Sequence, residues 1–290
     1  MEQCPIKEME IKFQCVIDTD NSLFEPVPAK KIKPEWYKKL PIKVDSGGME
    51  ISTIKKCPAM QDWLSMGYLI RNRHSILVWM GVGQEDEPVS LAIPLSDKVK
   101  EKDIKNIFKI KEPGLVDDYV TKHELGIGEL THYVKHMSIG GHPAMQTKGS
   151  SWDDKMAFKF KMDFLIETPK GTSCYYLDPF LFDNPYFRVW QGIMDTDSFN
   201  QLTTNNMLIF YPKVNQSFVI GKGTPLVQIV PFVRYPWRMN MEYLSREEIL
   251  EKSKSESEEL SLLHQRKDGH VERETEHVYR KKWASRKEYS

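Results

Sequence analysis

The stretch Ala157-Phe-Lys-Phe-Lys-Met-Asp-Phe-Leu-Ile-Glu-Thr168 alternates apolar and charged residues with a period close to two. Successive side chains of a strand point to opposite faces, so this pattern demands an extended segment with one buried and one wet face. Wound as a helix, the same residues would scatter round the axis. Short apolar runs of similar character follow at Ser173–Leu177, Phe187–Met194, Met207–Tyr211, Ser217–Ile220 and Leu226–Val233, with Gly, Asn and Pro between them. Strands of this length and spacing predict an antiparallel sandwich or barrel-like body. No βαβ rhythm and no internal repeat interrupts the series.

Upstream the pattern is mixed. Ile11–Asp18 reads as a strand, and Ser75–Val82 as a strand buried on both faces. Between Pro26 and Pro41, four prolines in sixteen positions argue against a regular element, although Trp36, Tyr37 and Leu40 suit a short amphipathic turn. Within Thr53–Ile70, Pro58 fits a first helical turn, with Met60, Trp63, Leu64 and Met66 on one side and Gly67 as the stop. Glu87–Lys111 is ambiguous, and Val116–Leu125 suits a short helix. Ser245-Arg-Glu-Glu248 has the form of a capping box opening a charged helix from about Arg246 to Arg266. The expected class is therefore mainly β, α+β overall. Residues 1–150 form an N-terminal α/β extension packed on the body, 151–243 the core, and 244–290 a charged helix with a basic, aromatic tail.

The chain carries 41 Lys and Arg against 41 Asp and Glu, so it has no overall basic field to hold a phosphate backbone, and nucleic acid is not an expected partner. Tyr279–Tyr289 is the local exception, read as a solvated tail that packs Trp283. The four cysteines, at 4, 15, 57 and 174, are too widely spaced for a zinc motif and read as reduced thiols of a cytoplasmic protein. No apolar run is long enough for a membrane span, and the first residues lack the apolar segment of a signal peptide.

Between Ile166 and Phe232 the features fall in a telling order. Thr168-Pro-Lys-Gly171 precedes a strand. Gln191-Gly-Ile-Met-Asp-Thr-Asp197 follows, and then Phe218-Val-Ile-Gly-Lys-Gly-Thr-Pro-Leu-Val-Gln-Ile-Val230. This order resembles the core of the trimeric dUTP pyrophosphatase and dCTP deaminase superfamily, over about 65 of the 290 residues. The resemblance implies a β-clip, a small distorted barrel that usually trimerises. It implies that Asp195 matches the carboxylate that activates water, as general base. Asp197, Phe199 and Gln228 would contact a ligand, and Mg²⁺ would serve if nucleotides were hydrolysed. The family's phosphate-binding Pro-Arg-Ser-Ser would fall at Pro179-Phe-Leu-Phe182, where the Arg and both Ser are replaced. Each missing charge-assisted phosphate contact costs about 1.5–3 kcal/mol of binding. Thr53-Ile-Lys-Lys-Cys-Pro58, Lys222-Gly-Thr-Pro225 and the terminal aromatic-basic run also make the chain similar, over nearly its whole length, to a group of bacterial and tailed-phage proteins for which no activity is known.

Two other constellations stand out. Glu129, His132 and His136 spell ExxHxxxH, and with His142 they could bring three metal ligands to one face. Seven aromatics between Tyr175 and Trp190 suit a core, and beyond it a hydrophobic contact between subunits. No P-loop, GxSxG or GxGxxG is present. For Asp195 and Asp197 three roles are open: a hairpin corner with side-chain-to-backbone hydrogen bonds, a ligand contact, or a catalytic base. The expected function is a non-enzymatic assembly or binding protein related to the β-clip. It would be homo-oligomeric, with the C-terminal helix available to a partner, and located in the host cytoplasm or a virion if phage-encoded. The alternatives are a divergent nucleotide pyrophosphatase or deaminase using Asp195, and a metal enzyme centred on His132, His136 and His142.

Overall fold

A computed structural model describes residues 9–15, 25–82, 88–126, 140–141, 158–161, 164–198 and 207–264. Among them the chain runs β1 (Lys12–Cys15), β2 (Val27–Pro28), α1 (Glu35–Lys39), β3 (Lys43–Ser46), β4 (Met49–Ser52), α2 (Pro58–Ser65), β5 (Tyr68–Arg71), β6 (Ser75–Val82) and β7 (Pro88–Leu95). It continues through α3 (Glu101–Ile107), α4 (Pro113–Lys122), β8 (Gly140–Gly141), β9 (Phe158–Lys161), β10 (Phe164–Glu167), β11 (Thr172–Leu177), β12 (Phe187–Val189) and β13 (Gly192–Met194). The last elements are β14 (Met207–Pro212), β15 (Phe218–Ile220), β16 (Pro225–Val233) and α5 (Arg246–His264). The described residues fall into two compact units, one from 1–32 with 67–234, the other from 33–66 with 235–290.

The first unit is built on a five-stranded antiparallel sheet in the order β13-β11-β16-β5-β2. β16 is its centre because Leu226, Val227, Ile229 and Val230 leave no wet face. Its register sets Thr172 opposite Val233 and Leu177 opposite Gln228 on one side, and Tyr68 opposite Ile229 on the other. Pro231 lies past the last β5 pair, where β16 has become an edge and a missing N–H is tolerated. Smaller sheets, β15-β6-β7, β12-β14-β9-β8 and β1-β10, surround it. All described pairs are antiparallel, and the sheets do not close into a barrel among the described residues. The barrel-like body expected from strand spacing is instead a set of open sheets around one core, to which β6, β10, β11, β12, β14 and β16 all contribute.

β6 behaves as its unbroken apolar run demands. Ile76 and Val78 enter that main core, while Leu77 and Trp79 enter a second one with Ile107 of α3 and Val116 and Val120 of α4. The Trp79 indole donates to the Ile110 carbonyl at 3.0 Å. Gly81 lies beside this ring, and a Cβ there would come within 2.2 Å of it. Helix α4 starts on Pro113, and the ambiguous Glu87–Lys111 resolves into β7 and α3.

Two expected strands are each two. The alternating stretch breaks into β9, which pairs with β14, and β10, which pairs with β1. Phe187–Met194 likewise splits into β12 and β13, which lie in different sheets. Period-two patterning does not reveal where a strand leaves one sheet for another.

In the second unit, β3 and β4 form a hairpin whose corner, Gly47-Gly48, has positive φ at both residues, as a type I′ turn requires. The proline-rich segment does hold one helical turn, α1, because Pro34 sits at its N-cap rather than inside it. Tyr37 is buried there, while Trp36 stays outside. The Lys55 ammonium donates to the Lys38 and Leu40 carbonyls at the C-terminal end of α1, both at 2.9 Å. The Thr53 hydroxyl donates to Pro41 O at 2.7 Å and accepts from Lys55 N at 3.3 Å. Thr53-Ile-Lys-Lys-Cys-Pro58 is thus a knot of backbone ties leading into α2, whose first residue is Pro58. The capping box is formed: Glu248 N donates to Ser245 Oγ at 3.2 Å and Ser245 N to Glu248 Oε2 at 2.7 Å. No described helix is long and apolar enough to cross a membrane.

Candidate functional site

Strand β11 follows the turn Thr168–Gly171, where Gly171 takes φ +86°. β13 pairs along the other edge of β11, setting Met194 opposite Cys174, so the corner Asp195-Thr-Asp197 comes beside that turn. On the opposite side β16 ends with Val233 opposite Thr172, and Arg234 N donates to Gly171 O at 2.8 Å. Three segments far apart in sequence therefore meet at one end of the five-stranded sheet.

Their side chains close a network. Arg234 Nη1 reaches Asp195 Oδ1 at 2.8 Å and Ser173 Oγ at 2.9 Å, while Nη2 pairs with Asp197 Oδ2. The Ser173 hydroxyl donates to Asp195 at 2.6 Å. Asp197 also accepts from Gly171 N at 2.7 Å and from the Ser198 hydroxyl at 3.1 Å. The two carboxylates differ in exposure: the Asp195 side chain is 55% exposed, that of Asp197 only 3%. Beneath them Thr168 and Thr196 share a hydroxyl hydrogen bond of 2.7 Å, and the Cys174 thiol lies 3.4 Å from Thr196 Oγ1. Burial pushes that thiol up to about 11.

The electrostatics favour ionised carboxylates. The Ser173 hydroxyl, and then Arg234, hold Asp195 below its ordinary value. Burial pushes Asp197 up, but the Gly171 N–H, Arg234 and Ser198 outweigh it, and the net shift is downward. A general base works best with a pKa near the working pH, so both groups are displaced in the wrong direction for that task. The Mg²⁺ implied by the sequence resemblance does not fit these donors. A guanidinium already bridges the two carboxylates and would repel a divalent cation at the same oxygens.

Of the expected site residues, Asp195 and Asp197 are brought together. Gln228 is not with them: it is buried at the far end of the β11–β16 pairing, where its side-chain oxygen accepts from Phe180 N at 2.9 Å. That bond engages the backbone of Pro179–Phe182, the segment matched to the phosphate motif. Phe199, His132, His136 and His142 lie outside the described residues, as do Glu129 and the tail Tyr279–Tyr289. In the aromatic run, Tyr176 and Phe187 are core, while Tyr175 stacks on Phe232 and Tyr186 on Phe218.

Sequence reading missed Arg234, Ser173 and the buried Asn72. Arg234 is a single cation directly following an uncharged strand, a faint signal without knowledge of what that strand faces. Asn72 ties the β5 end to the turn before β16. Its N–H donates to Thr224 O at 2.8 Å and its side-chain amide to Ile220 O at 3.2 Å. No protein-family model matches the chain, and no curated protein matches it in sequence.

Proposed function

We propose that this chain is a non-enzymatic assembly protein related to the β-clip. In this reading it forms homo-oligomers, is phage-encoded or virion-associated, and uses the Asp195–Asp197 corner as a structural clamp. The observation that carries the reading is the closure of that corner on Arg234. Both carboxylates, the Ser173 hydroxyl and the Gly171 N–H are engaged with one another, and the carboxylates are held ionised. The Phe180 N–H, in the segment matched to the phosphate motif, is taken by Gln228. The clamp ties Arg234, the residue just after β16, to two other segments before the chain enters Tyr235–Leu244.

The test is incubation of the purified chain with a panel of deoxynucleoside triphosphates and Mg²⁺, reading pyrophosphate and ammonia release. Neither product is expected above the buffer blank. Turnover that disappears in Asp195→Asn would overturn the reading in favour of a nucleotide hydrolase or deaminase.

A further inference from the structure

Beyond Arg234 the chain runs through Tyr235–Leu244 without helix, strand, turn or bend, and so follows an extended course. Its large apolar side chains recur at every second position: Tyr235 is 68% exposed, Trp237 92%, Met239 86%, Met241 63% and Tyr243 87%. The intervening residues are Pro236, Arg238, Asn240 and Glu242. This is the pattern of a strand with one face meant for burial, carried by a segment that pairs with no described strand. Scattered exposed apolar residues are ordinary, but five in strict alternation are not.

The same unit holds a surface of matching form. Ile42, Val44, Met49 and Ile51 line one face of the β3–β4 hairpin and are 42–68% exposed. Lys43, Asp45, Glu50 and Ser52 alternate with them. A two-stranded hairpin is marginal in water unless its apolar face is covered, and among the described residues neither of its edges pairs with a further strand.

We infer that Tyr235–Tyr243 adds as a third, antiparallel strand to the β3 edge of this hairpin in a second copy of the chain. The register follows from pairing like with like. With Arg238 opposite Asp45, Met239 meets Val44, Met241 meets Ile42, and Trp237 covers the small Ser46. Glu242 then lies diagonal to Lys43, and both charge contacts are attractive. Pro236 falls beyond the end of β3, where no ladder donor is needed. On the β4 edge, pairing Arg238 with Glu50 would put Pro236 opposite Ser52 inside the ladder. A second copy is favoured over an unrelated partner because donor and receiver lie on the same chain, so exchange can be reciprocal and closed. Tyr235, Trp237 and Tyr243 alone carry on the order of 450–750 Å² of buriable surface per arm. Two arms with their receiving faces reach the roughly 1,200–2,000 Å² of a stable interface.

This inference rests on the homo-oligomer reading above, and the test separates the two. Light scattering on the full chain, at roughly 100 µM to favour association, should give at least twice the 33.9 kDa monomer mass. Trp237→Glu with Met239→Glu should give a monomer, and so should Ile42→Glu with Val44→Glu. The far-UV circular dichroism of the folded body should be unchanged, since all four positions are exposed. A monomeric wild type would overturn both readings. An oligomer that survives either pair of substitutions would overturn the strand exchange and leave the homo-oligomer standing.

Discussion

Asp197, which the sequence resemblance matches to a ligand contact, has its carboxylate tied into hydrogen bonds of the protein itself. Its side chain is almost wholly buried, yet it stays charged because Gly171 N, Arg234 and the Ser198 hydroxyl all donate to it. Replacing it with Asn leaves the Arg234 charge and the Gly171 donor poorly matched, and should cost about 1–3 kcal/mol of stability in urea unfolding. The pH dependence has a definite sign. The folded-state pKa values of Asp195 and Asp197 are lowered, so between the folded and unfolded values the unfolded chain binds more protons. The clamp's contribution is complete above the unfolded carboxylate value of about 4 and is lost as pH falls through the lower folded values. Unfolding midpoints measured across the acid range should therefore fall more steeply for the wild type than for Asp195→Asn with Asp197→Asn. Equal slopes would remove the clamp from the account.

Individual elements depend on local chemistry that can be tested singly. Gly67 precedes β5 with φ +70°, and a Cβ there would lie 2.1 Å from the Ile229 carbonyl oxygen of β16. Left-handed strain and overpacking together should make Gly67→Ala cost about 2–5 kcal/mol, read as a lowered urea midpoint. The Ser245 cap predicts a smaller effect. Ser245→Ala removes the acceptor for Glu248 N, and should lower the stability of α5 by about 1 kcal/mol, seen as lost helical ellipticity on warming. Much at this scale was legible from sequence. Pro58, the Ser245–Glu248 box and the apolar run of β6 each act within a few residues, and the structure places an element at each. The β3–β4 hairpin is absent from the sequence reading because its alternation is too short to mark strands, although Gly47-Gly48 carries a turn signature. α3 was obscured because its Lys-rich sequence offers little apolar periodicity.

At the scale of the molecule, strands from either side of residue 150 are interleaved: β5 pairs with β16, and β6 with β15. β6 feeds both apolar clusters through the buried run Ile76, Leu77, Val78 and Trp79, with β7 beside it adding Ala92 to one and Leu95 to the other, so opening β6 would expose both at once. Its amides should accordingly be the slowest to exchange with deuterium, at rates that track global unfolding. Faster exchange in β6 than in β12 would show that the two clusters open independently. Sequence alone determined that the chain is mainly β with short antiparallel strands and that helices begin at Pro58 and Arg246. Those features follow from side-chain periodicity and capping, which act over a few residues. Tertiary structure alone decided that Arg234 closes on Asp195 and Asp197, that Gln228 binds the Phe180 backbone, and that the alternating stretch divides between two sheets. Each depends on which strands become neighbours, and that is set by the shared burial of residues far beyond the few positions over which periodicity and capping act.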